Sequence, residues 1–285
     1  MDLKDRVRES RDRMIKNQNE KLAQYVQKFI YPYATRKLEA EDVVFLNYGY
    51  EEDPAMGVPL SDSDERNRYF IQLYHSTATQ VDIQGKRVLE VGCGHGGGAS
   101  YLARTLHPAS YTGLDLNPSA ISFCQKRHKL KDLEFVQGNA EELPFADNTF
   151  DAVINVESSH LYPQFPKFLS EVSRVLRPDG YFLYTDARLL GDIPAWEEAL
   201  ADAPFRVMSQ RTISADVVRG MEKSMQQWQY VIDRVAPRPL RGLTRRFSPA
   251  RKACESLRPG GTSEYRMYSF QNTGTSSNHG AQPRN

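Results

Sequence analysis

Between a short apolar run and a helix-like pattern, the chain carries Glu90-Val91-Gly92-Cys93-Gly94-His95-Gly96-Gly97-Gly98. Nothing else in the sequence narrows the fold as far. Clustered glycines permit a tight turn and let a ligand approach the main chain. The helix that follows presents free N–H groups at its N-terminus, where polar cofactors are readily held. Alone, the loop is ambiguous, because Gly92-x-Gly94-x-x-Gly97 also satisfies the dinucleotide fingerprint.

The flanking pattern supplies the frame. Apolar runs at 87–91, 110–115, 133–137, 150–155 and 180–185 read as strands. Stretches beginning at Ala99, Pro118 and Phe165 read as the helices between them. Such alternation predicts an α/β fold, a parallel sheet with helices on both faces. Residues 1–80 are expected to form N-terminal helices and a lid, and 81–192 the α/β core. Residues 193–255, with Trp196 and Trp228, read as a helical substrate cap. Trp196, Phe205, Met208, Met221, Met225 and Trp228 are its candidate pocket lining, or else plain core. Residues 256–271 should supply a last strand completing the sheet. The polar tail 272–285 has no apolar anchor and is expected to be disordered.

Bulk properties exclude several classes. A net charge of +1 gives no general pull toward nucleic acid. No stretch approaches the roughly 18–20 apolar residues that span a bilayer, so no stable membrane insertion is expected. The charged N-terminus does not read as a signal peptide. Cys93, Cys124 and Cys254 lack metal or disulfide spacing, which suits reduced thiols in a cytoplasmic protein. No metal site is expected, and the oligomeric state is not legible.

Further features resolve the ambiguous loop. Glu90 stands two residues before the first glycine, and Asp115 ends the next strand. A carboxylate at Asp115 can accept from both hydroxyls of a ribose. Gly138-Asn139-Ala140-Glu141-Glu142-Leu143-Pro144-Phe145 follows the third strand, Phe150-Asp151-Ala152-Val153 opens the fourth, and Leu176-Arg177-Pro178-Asp179-Gly180 precedes the fifth. In this order the motifs resemble those of class I methyltransferases: E/D-x-G-x-G-x-G, the G-D/N-A-x-x-L-P-F turn, F-D-x-V and L-R-P-G-G. The resemblance implies that the α/β sheet is doubly wound, mostly parallel, seven-stranded and Rossmann-like. It also implies S-adenosylmethionine as cofactor, held by Glu90, Gly92, Cys93, Gly94, Gly96, Asp115, Leu116, Asn139, Ala140, Glu141 and Val156. Asn139 departs from the commoner Asp, but an amide also hydrogen-bonds an adenine edge. Asn47-Tyr48-Gly49-Tyr50 resembles the N-x-G-Y/W lid element of small-molecule methyltransferases, which adds Tyr50 to the cofactor set; Tyr74 is a second lid candidate.

Methyl transfer from a sulfonium needs alignment above all, and a hydroxyl acceptor also needs a base. Ligands of such sheets bind outside the carboxyl ends of the strands. The loop after the fourth strand places His160 at that edge, and the fifth strand brings Asp186 beside it, with Arg188 just beyond. His160 and Asp186 are the candidate base and orienting partner; a plain hydrogen-bonding loop histidine is the competing reading.

Longer strings are more specific. Val44–Pro54, Leu73–Asp82, Cys93–Leu102 and Val156–Pro163 resemble the phthiotriol/phenolphthiotriol dimycocerosates methyltransferase group, from about Tyr31 to Glu222. That resemblance implies O-methylation of a hydroxylated, lipid-, polyketide- or terpenoid-like small molecule of secondary metabolism. C-methylation, a nicotinamide-dependent oxidoreductase and a non-catalytic cofactor-binding protein are the competing functions.

Overall fold

A computed structural model describes residues 35, 37, 38, 42–235 and 249–274. The helices expected before residue 35, most of the basic run after Arg234 and the tail beyond 274 lie outside the described residues.

The elements run in chain order as α1 (Asp62–Glu65), α2 (Arg68–Ala78), β1 (Arg87–Val91), α3 (Gly97–Thr105), β2 (Ser110–Asp115), α4 (Pro118–Arg127), β3 (Leu133–Gln137), β4 (Phe150–Val156), α5 (Phe165–Val175), β5 (Leu176–Leu189), α6 (Ile193–Asp202), β6 (Phe205–Thr212), α7 (Ser214–Val235), α8 (Pro249–Leu257) and β7 (Ser263–Asn272). They build one seven-stranded sheet of order β3-β2-β1-β4-β5-β7-β6. Strands β1 to β5 pair in parallel, while β7 is antiparallel to both β5 and β6. The order reverses between β1 and β4, and the crevice at such a switch point is where this architecture holds ligands.

The two faces follow from strand periodicity. Val88, Ala152, Ile154, Leu183 and Met267 face one core together with α2, α3 and α7. Leu89, Val153, Phe182, Tyr184 and Phe270 face the other, under α5 and α6. Alternate side chains of a strand point to opposite faces, so a sheet covered on both sides reads as continuous apolar runs. On α5, Phe168, Leu169, Val172 and Val175 are buried at helical spacing. Each such side chain contributes about 1.5–3 kcal/mol by leaving water. Helix α4 starts where Asn117 caps the Ser119 N–H and Pro118 takes the first turn.

Across the stretch expected to be a helical cap, α6, α7 and α8 are helical as read, and one segment is not. Residues 205–212 form β6, the edge strand, and Trp196 and Phe205 pack with the α5 side while Met221 and Trp228 pack with the α2 side. The segment is therefore split across the sheet rather than gathered over one pocket, and Met208 is exposed. Arg206, Gln210, Arg211 and Thr212 show no apolar alternation; the strand exists through its ladder with β7, a remote partner. The helix expected from Ala99 begins at Gly97, and the fifth strand extends through Asp186 to Leu189.

Candidate active site

Glu90, the penultimate residue of β1, is 1% exposed. Its Oε2 accepts from the Tyr111 hydroxyl at 2.8 Å, whereas Oε1 is buried with no hydrogen-bond partner among the described residues. Burial pushes the carboxyl up to about 7, against the pull of the Tyr111 and Tyr74 hydroxyls. The chain then turns through Gly92, at φ 79°, where a β-carbon would lie 2.3 Å from Ser158 Oγ. Only glycine tolerates both the positive φ and that contact.

The loop is tied to β2. Gly92 and Cys93 both donate main-chain N–H groups to Leu114 O. Asp115 Oδ2 accepts from the Gly94 N–H and Oδ1 from the Asn117 N–H, each at 2.9 Å. Burial holds this carboxyl above the usual range, against those bonds. Leu116 beside it is 49% exposed, an apolar side chain left open at the carboxyl edge. After β3, Asn139 Oδ1 accepts from the Glu141 N–H, and Ala140 is buried. Glu141 turns toward α5 and takes the Gln164 N–H at 2.5 Å. Strand β4 ends on buried Val156, and Asn155 Nδ2 donates to Val91 O across the switch point.

Beyond β4, a short 3-10 turn (Ser159–Leu161) carries His160. Its Nδ1 lies 2.8 Å from Asp186 Oδ1, and its main-chain N–H donates to Asp186 Oδ2 at 2.9 Å. A carboxylate only accepts, so the proton belongs on Nδ1 and Nε2 is left with a lone pair. The His160 side chain is 41% exposed and that of Asp186 0%. Asp186 also accepts from Ser159 Oγ, the Ala187 N–H and Arg188, the last at 3.0 Å. Burial disfavours its charge, but His160 and Arg188 outweigh it and hold the carboxyl well below the ordinary range. Burial likewise opposes charge on His160, yet the Asp186 charge and hydrogen bond win, and its pKa is raised.

Arg188 braces the pair. It donates to Ser159 Oγ and Tyr184 OH, and it stacks 5.3 Å over Phe165 and 4.9 Å over Trp196. Tyr184 and Tyr268 face each other in the β5–β7 ladder, ring centroids 6.0 Å apart, and Trp196 meets both edge-on. Guanidinium and rings thus fix Asp186 from behind.

The structure brings Glu90, the glycines, Asp115, Val156, His160 and Asp186 to one edge of the sheet. Tyr50 is placed otherwise. Its ring is buried in the core, its hydroxyl donates to Glu52, and its main chain is held by Tyr69 and Gln72 on α2. Tyr48, passed over in the sequence, meets this edge through its main chain: its N–H donates to both oxygens of Glu157. Glu157 was also missed. It directly follows β4, and the rule that singled out His160 applies to it equally. Burial pushes it up to about 7, against the Tyr265 and Tyr48 bonds.

A twisted, mostly parallel sheet with this order, a glycine loop at its switch point and carboxylates at the carboxyl ends of β1 and β2 defines the class I methyltransferases, which use S-adenosylmethionine. The family model for a methyltransferase domain matches residues 89–184. A fatty-acid O-methyltransferase of Mycolicibacterium smegmatis is 66% identical over 262 residues, 92% of this chain and 95% of that protein. A phthiotriol/phenolphthiotriol dimycocerosates methyltransferase of Mycobacterium tuberculosis is 55% identical over 246 residues, 86% of this chain and 91% of that protein. The crystal structure of the cyclase SpnF shares the fold, with a TM-score of 0.67 at 21% identity over 88% of this chain and 96% of that one. The chain belongs to this family of S-adenosylmethionine-dependent methyltransferases.

Among the described residues, no cluster of His, Cys, Asp or Glu is arranged to hold a metal ion. No described helix is long and apolar enough to cross a membrane.

Proposed function

We propose that the protein methylates a hydroxyl oxygen of an apolar, lipid-like small molecule of secondary metabolism, with His160 as general base and Asp186 as its orienting partner. The observation that carries this reading is the 2.8 Å contact of His160 Nδ1 with Asp186, beside the glycine loop. Such a contact aims a basic Nε2 outward at the edge where ligands of this fold bind. The names of the relatives, with O-methyl transfer to fatty acids and methylation of phthiotriols, support a lipid-like acceptor.

The cofactor is assigned to the glycine loop. Oε1 of Glu90, buried and unpartnered among the described residues, suits a cationic amino group or its bridging water. Gly92, Cys93, Gly94 and Gly96 line the approach, Asp115 serves the ribose, and Leu116, Asn139, Ala140 and Glu141 border the adenine. Val156, buried at the end of β4, would border the methionine part of the cofactor, and Tyr50 would contribute by anchoring the 43–51 segment on α2. The bound cofactor supplies an electrophilic methyl group on sulfur. His160 would hold the acceptor O–H, align its oxygen and take its proton through Nε2, while the methyl would leave the sulfonium as a neutral thioether. Asp186 fixes the tautomer and stabilises the imidazolium that results.

A second acceptor chemistry is favoured by one observation. The raised pKa of His160 makes an imidazolium available, which would hold a carboxylate, in keeping with the fatty-acid relative. The test is product analysis with isotope-labelled S-adenosylmethionine on long-chain secondary alcohols and, separately, fatty acids. Methyl ethers support the hydroxyl reading. Base-labile methyl esters move the acceptor to a carboxylate. A C-methyl product overturns both.

A further inference from the structure

A strap of chain, residues 43–51, crosses the cofactor edge of the sheet and is pinned at both ends. At its start, Val43 O accepts from His95 Nδ1 at 2.7 Å, and Val44 O accepts from the Gly97 N–H at the head of α3. At its end, the Tyr50 N–H donates to Tyr69 O and the Glu51 N–H to Asp216 O, which anchors it on α2 and α7. Between these pins Leu46 passes the glycine loop, with its Cδ1 3.7 Å from where a β-carbon on Gly94 would stand.

The middle of the strap is fastened from the opposite side of the crevice. Glu157 Oε1 and Oε2 accept the Tyr48 N–H at 3.0 and 2.9 Å. Oε1 also accepts from the Tyr265 hydroxyl on β7 at 2.6 Å. Tyr265 is fully buried. Glu157 itself sits at φ 47°, in the left-handed region that residues with a β-carbon avoid. Its own N–H is committed to Thr185 O on β5. Such strain persists where the surroundings over-determine it, typically at ligand clamps. No ion pair to Lys, Arg or His is found for this carboxylate among the described residues. Its bonds are to a main-chain N–H and a phenol.

We propose that Glu157 is a positioning residue that fastens the 43–51 strap across the glycine loop, so that S-adenosylmethionine is retained beneath a strap tied to β4 and β7. A carboxylate suits this task better than its amide. Both oxygens receive the Tyr48 N–H, so a glutamine would turn an NH2 group toward that donor. Between the end pins Asn47 Nδ2 also donates to Phe70 O on α2 at 2.8 Å, so Glu157 is the tie that reaches the strap from the β4 side of the crevice.

The inference rests on the placing of the cofactor at the glycine loop, independently of which acceptor is methylated. Asp115→Ala separates the two: it abolishes cofactor binding if the groove is correct, whatever Glu157 does. The deciding measurement uses Glu157→Gln in the full chain. Binding of S-adenosylmethionine should weaken about tenfold, as expected for loss of roughly one hydrogen bond. KM for the cofactor should rise by a similar factor, with kcat at saturation changed less than about threefold. Hydrogen–deuterium exchange should accelerate in peptides covering 43–50, with β1 and β4 unchanged. Should Glu157→Gln fail to fold, Tyr265→Phe carries the test, with a smaller shift in the same direction. A variant with unchanged cofactor affinity and unchanged strap exchange overturns the proposal. So does a loss confined to kcat, or to thermal stability alone.

Discussion

Asp186 and Arg188, two residues apart on β5, lie 3.0 Å from one another, and the same carboxylate takes the ring N–H of His160. One buried anion is therefore shared between a permanent cation and a titratable one. The two neighbours act on His160 with opposite sign: Asp186 raises its pKa and Arg188 lowers it.

Opposed pH shifts follow from that sharing. If neutral His160 is the base, kcat rises with pH through an inflection above the ordinary 6.5 of histidine, since its pKa is raised. Asp186→Asn leaves burial and Arg188, which lower it, against only the weaker upward pull of Glu157, so the inflection moves to lower pH. Arg188→Met removes an opposing charge and moves it to higher pH. For a carboxylate acceptor held by imidazolium, activity instead falls as pH rises. The pH–kcat profiles of the three proteins check all of this.

His160→Ala is expected to lower kcat about 10²–10⁴-fold, the usual worth of a positioned general base. Cofactor affinity, measured by calorimetric titration, should stay within a factor of about two, because His160 belongs to the acceptor side. Full activity in this variant would remove His160 from the chemistry.

Arg188→Met should also destabilise the fold. It leaves Asp186, fully buried, with only neutral donors and a histidine. Breaking a buried pair by deleting one partner costs about 3–5 kcal/mol, with His160 offsetting part of that here. Denaturant unfolding above the pKa of His160, where the ring is neutral, should show the larger loss.

Glu90 offers a stability test. Its carboxyl titrates at about 7 in the folded protein against 4.5 as the ordinary value. Between those values the folded state binds more protons than the unfolded, so this group's contribution falls as pH rises and levels off above about 7. Glu90→Gln removes the dependence. The thermal midpoint of the cofactor-free variant, relative to the parent, should climb from pH 4.5 to 7. A flat difference across that range would mean that the unpaired Oε1 is satisfied in solution.

Legibility in the sequence tracked the range of the interactions. The glycine loop, the helix opening at Pro118 and the apolar runs of β1 to β5 are local signals, and each was readable because its chemistry lies within a few residues. The His160–Asp186 pair was reachable by a topological rule, since parallel strands present their carboxyl ends together. Strand β6 was not, because its polar residues are held only by β7. The Asn47–Tyr50 element was read as a local motif, and the bond from the Tyr48 N–H to Glu157 was not legible there because its partner lies 109 residues away.

What the sequence determined by itself was the run of parallel strands and the glycine turn, which follow from periodicity and glycine stereochemistry along short segments, while the class of cofactor came from the order of motifs that resemble the methyltransferases. What only the tertiary structure decided was how charges and straps meet across the fold. Glu157 meets Tyr48 and Tyr265 over separations of 109 and 108 residues, and Arg188 is caged between Phe165 and Trp196. Those contacts depend on packing two faces of one sheet at once, and no local pattern in a single chain encodes which distant side chains that packing will bring together.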